Sequence, residues 1–189
     1  MDLLNRVKQI LISPKTEWQT IDSENESHIP VLTKYVLLLA AIPAIAAFIG
    51  YGFIGVLGFS SISWGIKQAI IQYVTMVGGV YITALVINLL AENFGSQKSF
   101  DKAFSLVAYA YTPAFIGGIF YIFYPISILA SLASIYSLFL LFVGLAPIMK
   151  TPAEKRTSYF IVSLLIMVAA FVVLSLVLTA IIVGSAFRF

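Results

Sequence analysis

Residues 103–149 read AFSLVAYAYTPAFIGGIFYIFYPISILASLASIYSLFLLFVGLAPIM and contain no Asp, Glu, Lys or Arg. A helix needs roughly 20 apolar residues to cross the hydrocarbon of a bilayer, so this run is more than twice as long as one crossing. Its middle, residues 121–126, holds Pro125 and few polar groups. The stretch therefore predicts two membrane-spanning helices that are joined by a tight reversal.

The composition of the whole chain also indicates an integral membrane protein. Of 189 residues, 61% are hydrophobic and 10% are charged, and the mean hydropathy is +1.03, which is far from a soluble domain. The lack of cysteine excludes disulfides, thiolate nucleophiles and cysteine-ligated metals. We interpret the single His28 as a solvated or headgroup-facing side chain. We predict no catalytic residue, cofactor or metal site. We also predict no nucleic-acid partner, because the basic residues flank apolar segments and would there set the orientation in the membrane.

Five apolar segments, bounded by charge or proline, predict an all-α protein with five transmembrane helices. The predicted spans are residues 31–50, 67–91, 102–122, 126–149 and 157–187. Nine Lys and Arg residues lie before the first span, in the second and fourth connections, or at the span ends next to them, whereas Lys67 and Arg188 lie on the opposite side. Because positively charged loops are retained in the cytoplasm, we expect the N-terminus inside and the C-terminus outside.

The N-terminal segment has a helical amphipathic pattern. Leu3, Val7, Ile10 and their apolar neighbours recur on one face, but the segment is too short and too charged to span a bilayer. We expect residues 1–29 to be a cytoplasmic, interfacial segment that precedes the membrane domain at 30–189. A second short helix would start at Pro14 and present Trp18, either as an interfacial anchor or as a contact for a partner.

Pro113 lies inside the third predicted span, next to three polar side chains. Proline clashes with the carbonyl four residues earlier, here that of Tyr109, and removes a hydrogen-bond donor. Together with Tyr111 and Thr112, these residues form the most polar patch inside any span. The patch is either a kink whose freed carbonyl finds a local partner, or a functional hinge or small polar cavity.

Two further patterns predict contacts within the bundle and at its cytoplasmic side. Small residues at every fourth position, Ala110, Ala114 and Gly118, predict close helix packing. The sequence from Thr151 to Glu154 is typical of a capping box, so the fifth helix should begin at Pro152. The basic residues around it would set topology, bind anionic lipid or contact a protein partner; they are Lys150, Lys155 and Arg156.

The sequence resembles the Yip family of Ypt/Rab-interacting proteins, in its bacterial branch. The resemblance rests on residues 100–113, with tyrosines and a closing Pro113, on residues 144–155, and on Ser13, Pro14, Trp18 and Ile21. It implies a five-span membrane fold in a bacterial cytoplasmic membrane. Eukaryotic members of the family are associated with Rab GTPases, but their Asp-Leu-Tyr-Gly-Pro motif is missing here, which argues against a Rab-type partner.

The favoured function is a non-enzymatic membrane scaffold that acts through protein or lipid contacts. Its partners would be the lipid bilayer and a membrane protein or a second copy of the chain. The alternative is a small transporter or channel component for a neutral solute, because transport of ions normally requires ionisable residues inside the spans. A membrane-embedded enzyme would need a nucleophile–base pair or a metal cluster at membrane depth, and the sequence offers none.

Overall fold

The computed structural model describes residues 2–55 and 59–186, and in the last helix the side chains of residue 171 and residues 173–186 are not described. The regular secondary structure of these residues is helical throughout. We number the helices in chain order: α1 Leu3–Ile12, α2 Pro14–Glu24, α3 His28–Ile54, α4 Ile62–Leu90, α5 Phe100–Ile122, α6 Tyr124–Met149 and α7 Ala153–Ala186.

Helices α3 to α6 are each long and apolar enough to cross a membrane. They match the first four predicted spans, since each predicted segment extends at most one residue beyond its helix. The predicted reversal within residues 103–149 is also confirmed, because Phe123 is extended between the end of α5 and the start of α6. The predicted end of the fifth span at residue 187, and Arg188, which entered the orientation count, lie outside the described residues.

Helix α5 lies at the centre of the bundle. It packs against α3, α4 and α6, and α7 contacts α4 and α6. The side chains of Phe104, Leu106 and Phe115 are completely buried, as expected for a helix that neighbours surround on all sides. The other helices leave Leu, Ile and Phe side chains exposed on their outer faces, where lipid would cover them.

Helices α1 and α2 form a hairpin that packs against α5 and α6. At its tip, Leu11 accepts a hydrogen bond of 2.8 Å from the hydroxyl of Tyr136, near the middle of α6. At its open end, Asp22 pairs with Lys150, directly after α6. From Tyr136 to Lys150 a helix rises about 20 Å, so the hairpin runs alongside half of α6. The hairpin thus packs along the bundle, and the expected place of residues 1–29 at the cytoplasmic interface stays a prediction.

Trp18 of this hairpin is fully buried. A Cβ atom added at Gly144 would lie 2.8 Å from Trp18 Cε2, so the glycine leaves room for the indole ring on α6. The interpretation of Trp18 as an interfacial anchor is wrong, and the ring leaves no surface for an external partner. An amphipathic helix with tryptophan fits a lipid interface or a protein groove equally well, and here it fills a groove.

The bundle end that is remote from Asp22 is built on glycine contacts. A Cβ atom at Gly65 of α4 would lie 2.7 Å from the Cα of Gly52 in α3. Gly118 of α5 lies directly against Pro43 of α3. We call the region around Gly50, Gly52, Gly65 and Gly118 the glycine end. The predicted close packing of the small-residue stripe in α5 is confirmed at Gly118, and Ala110 and Ala114 are buried as well.

Candidate functional site

Asp22 links the hairpin to two other parts of the chain. It accepts a 2.7 Å hydrogen bond from Lys102 Nζ at the start of α5, and it also pairs with Lys150 after α6. Burial alone would raise the pKa of Asp22, but the hydrogen bonds from Lys102 and Lys150 outweigh it and hold the pKa below its ordinary value. We call the surface around Asp22, Lys102 and Lys150 the charged end.

Arg6 is a buried cation inside the hairpin. Only 4% of the residue is exposed, and its guanidinium pairs with both Glu17 and Glu24 of α2. It also lies 5.3 Å from the centre of the Tyr109 ring, within the range of a cation–π contact. Burial lowers the pKa of Arg6, but the neighbouring acidic groups outweigh burial and raise it. A buried charge is stable only when paired in this way.

Hydrogen bonds also join the α4–α5 connection to the α6–α7 connection. Ser96 Oγ donates to Thr151 Oγ1 at 2.9 Å, and Thr151 Oγ1 donates to the carbonyl of Leu145 at 3.0 Å. The backbone N–H of Gln97 donates to the carbonyl of Met149 at 2.8 Å. The Thr151 hydroxyl thus bonds to Ser96 and Leu145 and not to the backbone of α7, so the predicted capping box does not form. Helix α7 begins at Ala153, one residue after the predicted Pro152.

His28 joins the start of α3 to the start of α5. Its Nδ1 lies 2.6 Å from Asp101 Oδ1, and its backbone N–H donates to the same oxygen at 2.8 Å. The ring also packs edge-on against Phe100. His28 is therefore a partly buried structural contact and not a fully solvated side chain, while its expected headgroup-facing position stays a prediction. Across the described residues, no three His, Asp or Glu side chains lie close enough to hold a metal ion.

The three predicted basic contact residues have different surroundings. Lys150 takes a left-handed backbone conformation, with φ of 53°, where α6 ends, and its ammonium pairs with Asp22. The guanidinium of Arg156 lies 5.0 Å from the centre of the Phe142 ring. Lys155 is exposed. The structure brings these residues to one end of the bundle, and their use as contacts stays a prediction.

The patch at Pro113 is a kink with a locally paired carbonyl. The helix breaks at Tyr111 and restarts with Thr112 and Pro113. Thr112 Oγ1 donates to the freed carbonyl of Tyr109 at 2.6 Å, and it lies 2.6 Å from the hydroxyl of Tyr35. Because the Thr112 proton is used on the carbonyl, Tyr35 must donate to Thr112. The Tyr35 hydroxyl, the Thr112 hydroxyl and the Tyr109 carbonyl thus form a chain of hydrogen bonds.

A cavity of about 310 Å³ opens beside Tyr111, among α4, α5, α6 and α7. Six of its lining side chains carry hydroxyl groups: Thr75, Thr83, Tyr111, Ser131, Ser134 and Ser137. Thr83 pairs with Tyr111 at 3.0 Å, and Ser137 accepts from the backbone N–H of Ala114 at 3.2 Å. The carbonyl freed by Pro113 is thus paired locally, and the adjacent cavity exposes mainly apolar surface. The functional role of Tyr109, Tyr111, Thr112 and Pro113 stays a prediction.

Sequence reasoning missed Arg6, Glu17, Asp22 and Asp101 as structural contacts. Helical spacing predicts Arg6 on the face of α1 opposite the apolar residues, but such spacing reports only the helix to which it is applied. The pairing of Arg6 depends on the turn between α1 and α2, and the pairing of Asp22 joins residues 80 and 128 positions apart. The only available signal was the presence of acidic residues in a segment next to basic loops.

Comparison with known proteins supports the fold class. The family model for the Yip1 domain matches residues 8–186. The chain is 35% identical over 122 residues to the inner membrane protein YohC of Escherichia coli, in strain K12 and in strain O6:H1. That match covers 61% of this chain and 63% of the relative, so it spans less than two thirds of the relative's length. No solved structure matches the chain. Because the family model covers nearly all residues, this protein belongs to the Yip1 domain family.

Proposed function

We propose that this protein is a non-enzymatic membrane scaffold, which organises a membrane protein, a second copy of itself or lipids through its charged end. One observation carries the proposal: Asp22 bridges Lys102 and Lys150, so that the hairpin and two connections form one surface. A surface that is ordered before binding loses less conformational entropy when a partner binds. This is a property of a docking platform rather than of flexible loops.

The proposed topology has five spans, with the N-terminus and the charged end in the cytoplasm. Helix α7 has 34 residues, or about 51 Å of helix, which exceeds the thickness of the hydrocarbon. The contacts of Asp22 and Ser96 gather the N-terminal segment and both basic connections at one end of the bundle, as the positive-inside rule requires. The name of the Escherichia coli relative supports a bacterial inner membrane.

Within this topology we propose one membrane domain at residues 30–189, with the segment 1–29 packed against it. Lys155 is the best candidate for direct partner contact, since it is exposed at the charged end. Lys150 retains half of its side-chain surface, 53%, and Arg156 is half-buried. The Asp-Leu-Tyr-Gly-Pro motif of eukaryotic family members is missing from this sequence. We therefore propose a partner within the membrane and not a Rab-type GTPase.

Site-specific photocrosslinking in intact membranes tests the scaffold proposal. A photoreactive amino acid at position 155 should capture a reproducible protein or lipid partner, whereas the same residue at position 67 serves as a matched control at the opposite end. Lys67 is also exposed and basic, so labelling that is equal at both positions would contradict a function of the charged end. Capture of the same chain would identify a homo-oligomer.

A second candidate function is passage of a small neutral solute, for which the cavity beside Tyr111 would be the route. In this case, proteoliposomes that contain the protein should admit glycerol faster than empty liposomes. Ser131→Leu would fill the cavity and should abolish the difference, while Lys155→Ala should not. Equal glycerol entry with and without the protein would remove this candidate.

A further inference from the structure

A second cavity, of about 180 Å³, lies between the start of α1, the start of α3 and Tyr109 of α5. Its polar lining consists of Asp2, Arg6, Glu26, Lys34, Tyr35 and Tyr109. At ~30 Å³ for each water molecule, the volume is equivalent to about six waters. This is enough for a small polar headgroup. The cavity is half-open to the outside and is distinct from the cavity beside Tyr111.

We infer that this cavity binds the headgroup of a phospholipid that carries both a phosphate and an ammonium group. Binding of this lipid does not depend on whether Lys155 contacts a protein partner. Three features of the protein favour such a ligand: the charges around the cavity, their position along α3, and the exposed apolar surface that continues from them.

The charges around the cavity are mixed and partly unpaired. The guanidinium of Arg6 already forms ion pairs with Glu17 and Glu24. Asp2, Glu26 and Lys34 form no ion pair with any other side chain in the described part of the protein. A ligand with only a negative charge would meet two carboxylates, and a ligand with only a positive charge would meet Lys34. A zwitterion offers an ammonium to the carboxylates and a phosphate to Lys34.

The position of the cavity indicates a lipid rather than a soluble zwitterion. Lys34 lies in the first turns of the membrane helix α3, near the expected level of the headgroups. Leu38 follows it by four residues on the same helical face, and it is 57% exposed. Further along α3, Ile45 is 58% exposed. Acyl chains attached to a headgroup at Lys34 would therefore find an apolar track along α3.

Lipid binding to the purified full-length protein, measured by native mass spectrometry, tests the inference. Phosphatidylethanolamine and phosphatidylglycerol with identical acyl chains are the probes, because only the first is zwitterionic. We expect phosphatidylethanolamine to bind about fivefold more tightly than phosphatidylglycerol. Glu26→Gln should remove most of this preference, because only the ammonium contacts the carboxylates, whereas Lys34→Ala should weaken binding of both lipids by about fivefold, because both carry a phosphate.

The matched controls are Lys15→Ala and Glu154→Gln, which remove exposed charges from residues that do not line the cavity. They should leave the preference for phosphatidylethanolamine unchanged. Because Lys34 and Glu26 are exposed, their variants should fold, which a thermal melt can verify. Equal binding of the two lipids by the wild-type protein would overturn the inference. So would a Glu26→Gln variant that retains the wild-type preference, or a Lys15→Ala variant that loses as much affinity for phosphatidylethanolamine as Lys34→Ala does.

Discussion

The charged end and the glycine end hold the same helices together by different interactions. At the charged end, long side chains reach across the structure, as Asp22 does to Lys102 and Lys150. At the glycine end, backbones touch directly, as between Gly52 and Gly65. Ion pairs between long side chains thus hold the charged end, whereas direct backbone packing at glycines holds the glycine end.

These two kinds of helix contact suit different surroundings. Helices in lipid gain little from further apolar burial, so close backbone packing and dispersion must hold them. Charged side chains are costly in hydrocarbon and are placed near water or paired with one another. The buried Arg6 is the extreme case, because it lies within the protein with two carboxylates and an aromatic ring around it.

The largest effect should come from Arg6→Ala at the charged end. The substitution leaves Glu17, which is 5% exposed, as a buried and unpaired carboxylate, and the loss of a buried partner costs about 3–5 kcal/mol. We expect the free energy of unfolding, measured by SDS titration in mixed micelles, to fall by that amount.

Lys98→Ala is the matched control for Arg6→Ala. Lys98 also pairs with a glutamate, Glu92, but the two side chains are 44% and 66% exposed. Exposed pairs contribute at most about 1 kcal/mol. If both variants lost the same stability, burial of the Arg6 pair would not be the reason for its importance.

At the glycine end, Gly65→Ala should destabilise the protein by about 1–3 kcal/mol. The new Cβ would lie 2.7 Å from the Cα of Gly52, so α3 and α4 must separate, and overpacking has costs of this order. Gly78→Ala on the same helix is the control, since no atom lies within 4 Å of its new Cβ. It should be neutral or stabilise by up to about 1 kcal/mol. Equal losses of unfolding free energy in the two variants would show that the contact does not matter.

The membrane helices could be predicted from sequence because they depend on local composition. Hydropathy and length define each apolar segment, and residues 121–126 marked the reversal between α5 and α6. The partner of the freed Tyr109 carbonyl was also accessible, because Thr112 lies next to the proline that frees it. These features involve residues that are close in the chain.

The hairpin could not be predicted in the same way. Its amphipathic pattern is compatible with a membrane surface or with a protein groove, and only the space above Gly144 decides between them. The pattern therefore predicts Trp18 at a lipid interface and Arg6 on a polar helix face, although both side chains are buried in protein. Contacts such as that between Asp22 and Lys150 depend on the complete fold, and a single sequence contains no pairing signal for them.

The kink lies between the two ends and allows a smaller test. Thr112→Val should reduce the free energy of unfolding by about 1–3 kcal/mol, because it leaves the carbonyl of Tyr109 and the hydroxyl of Tyr35 without their partner. Adding Pro113→Ala restores a backbone N–H near that carbonyl. The double variant should therefore be more stable than Thr112→Val alone. A double variant that loses the sum of both effects would contradict local pairing of the kink.

The smallest expected effect is the pH dependence of the charged end. Because the pKa of Asp22 is lower in the folded protein than in the unfolded chain, its contribution to stability is complete above the ordinary carboxyl value of about 3.9 and is lost as the pH falls through the lowered folded value. Thermal unfolding in detergent should show Asp22→Asn to be less stable than the wild type at pH 6, by about 1 kcal/mol or less. The two curves should converge once the pH falls below the lowered folded pKa of Asp22, where the aspartate is protonated as well. Glu154→Gln, which removes an exposed acid outside this network, should instead follow the wild type throughout. A constant gap between Asp22→Asn and the wild type would mean that Asp22 contributes through packing, and the charged end would then resemble the glycine end.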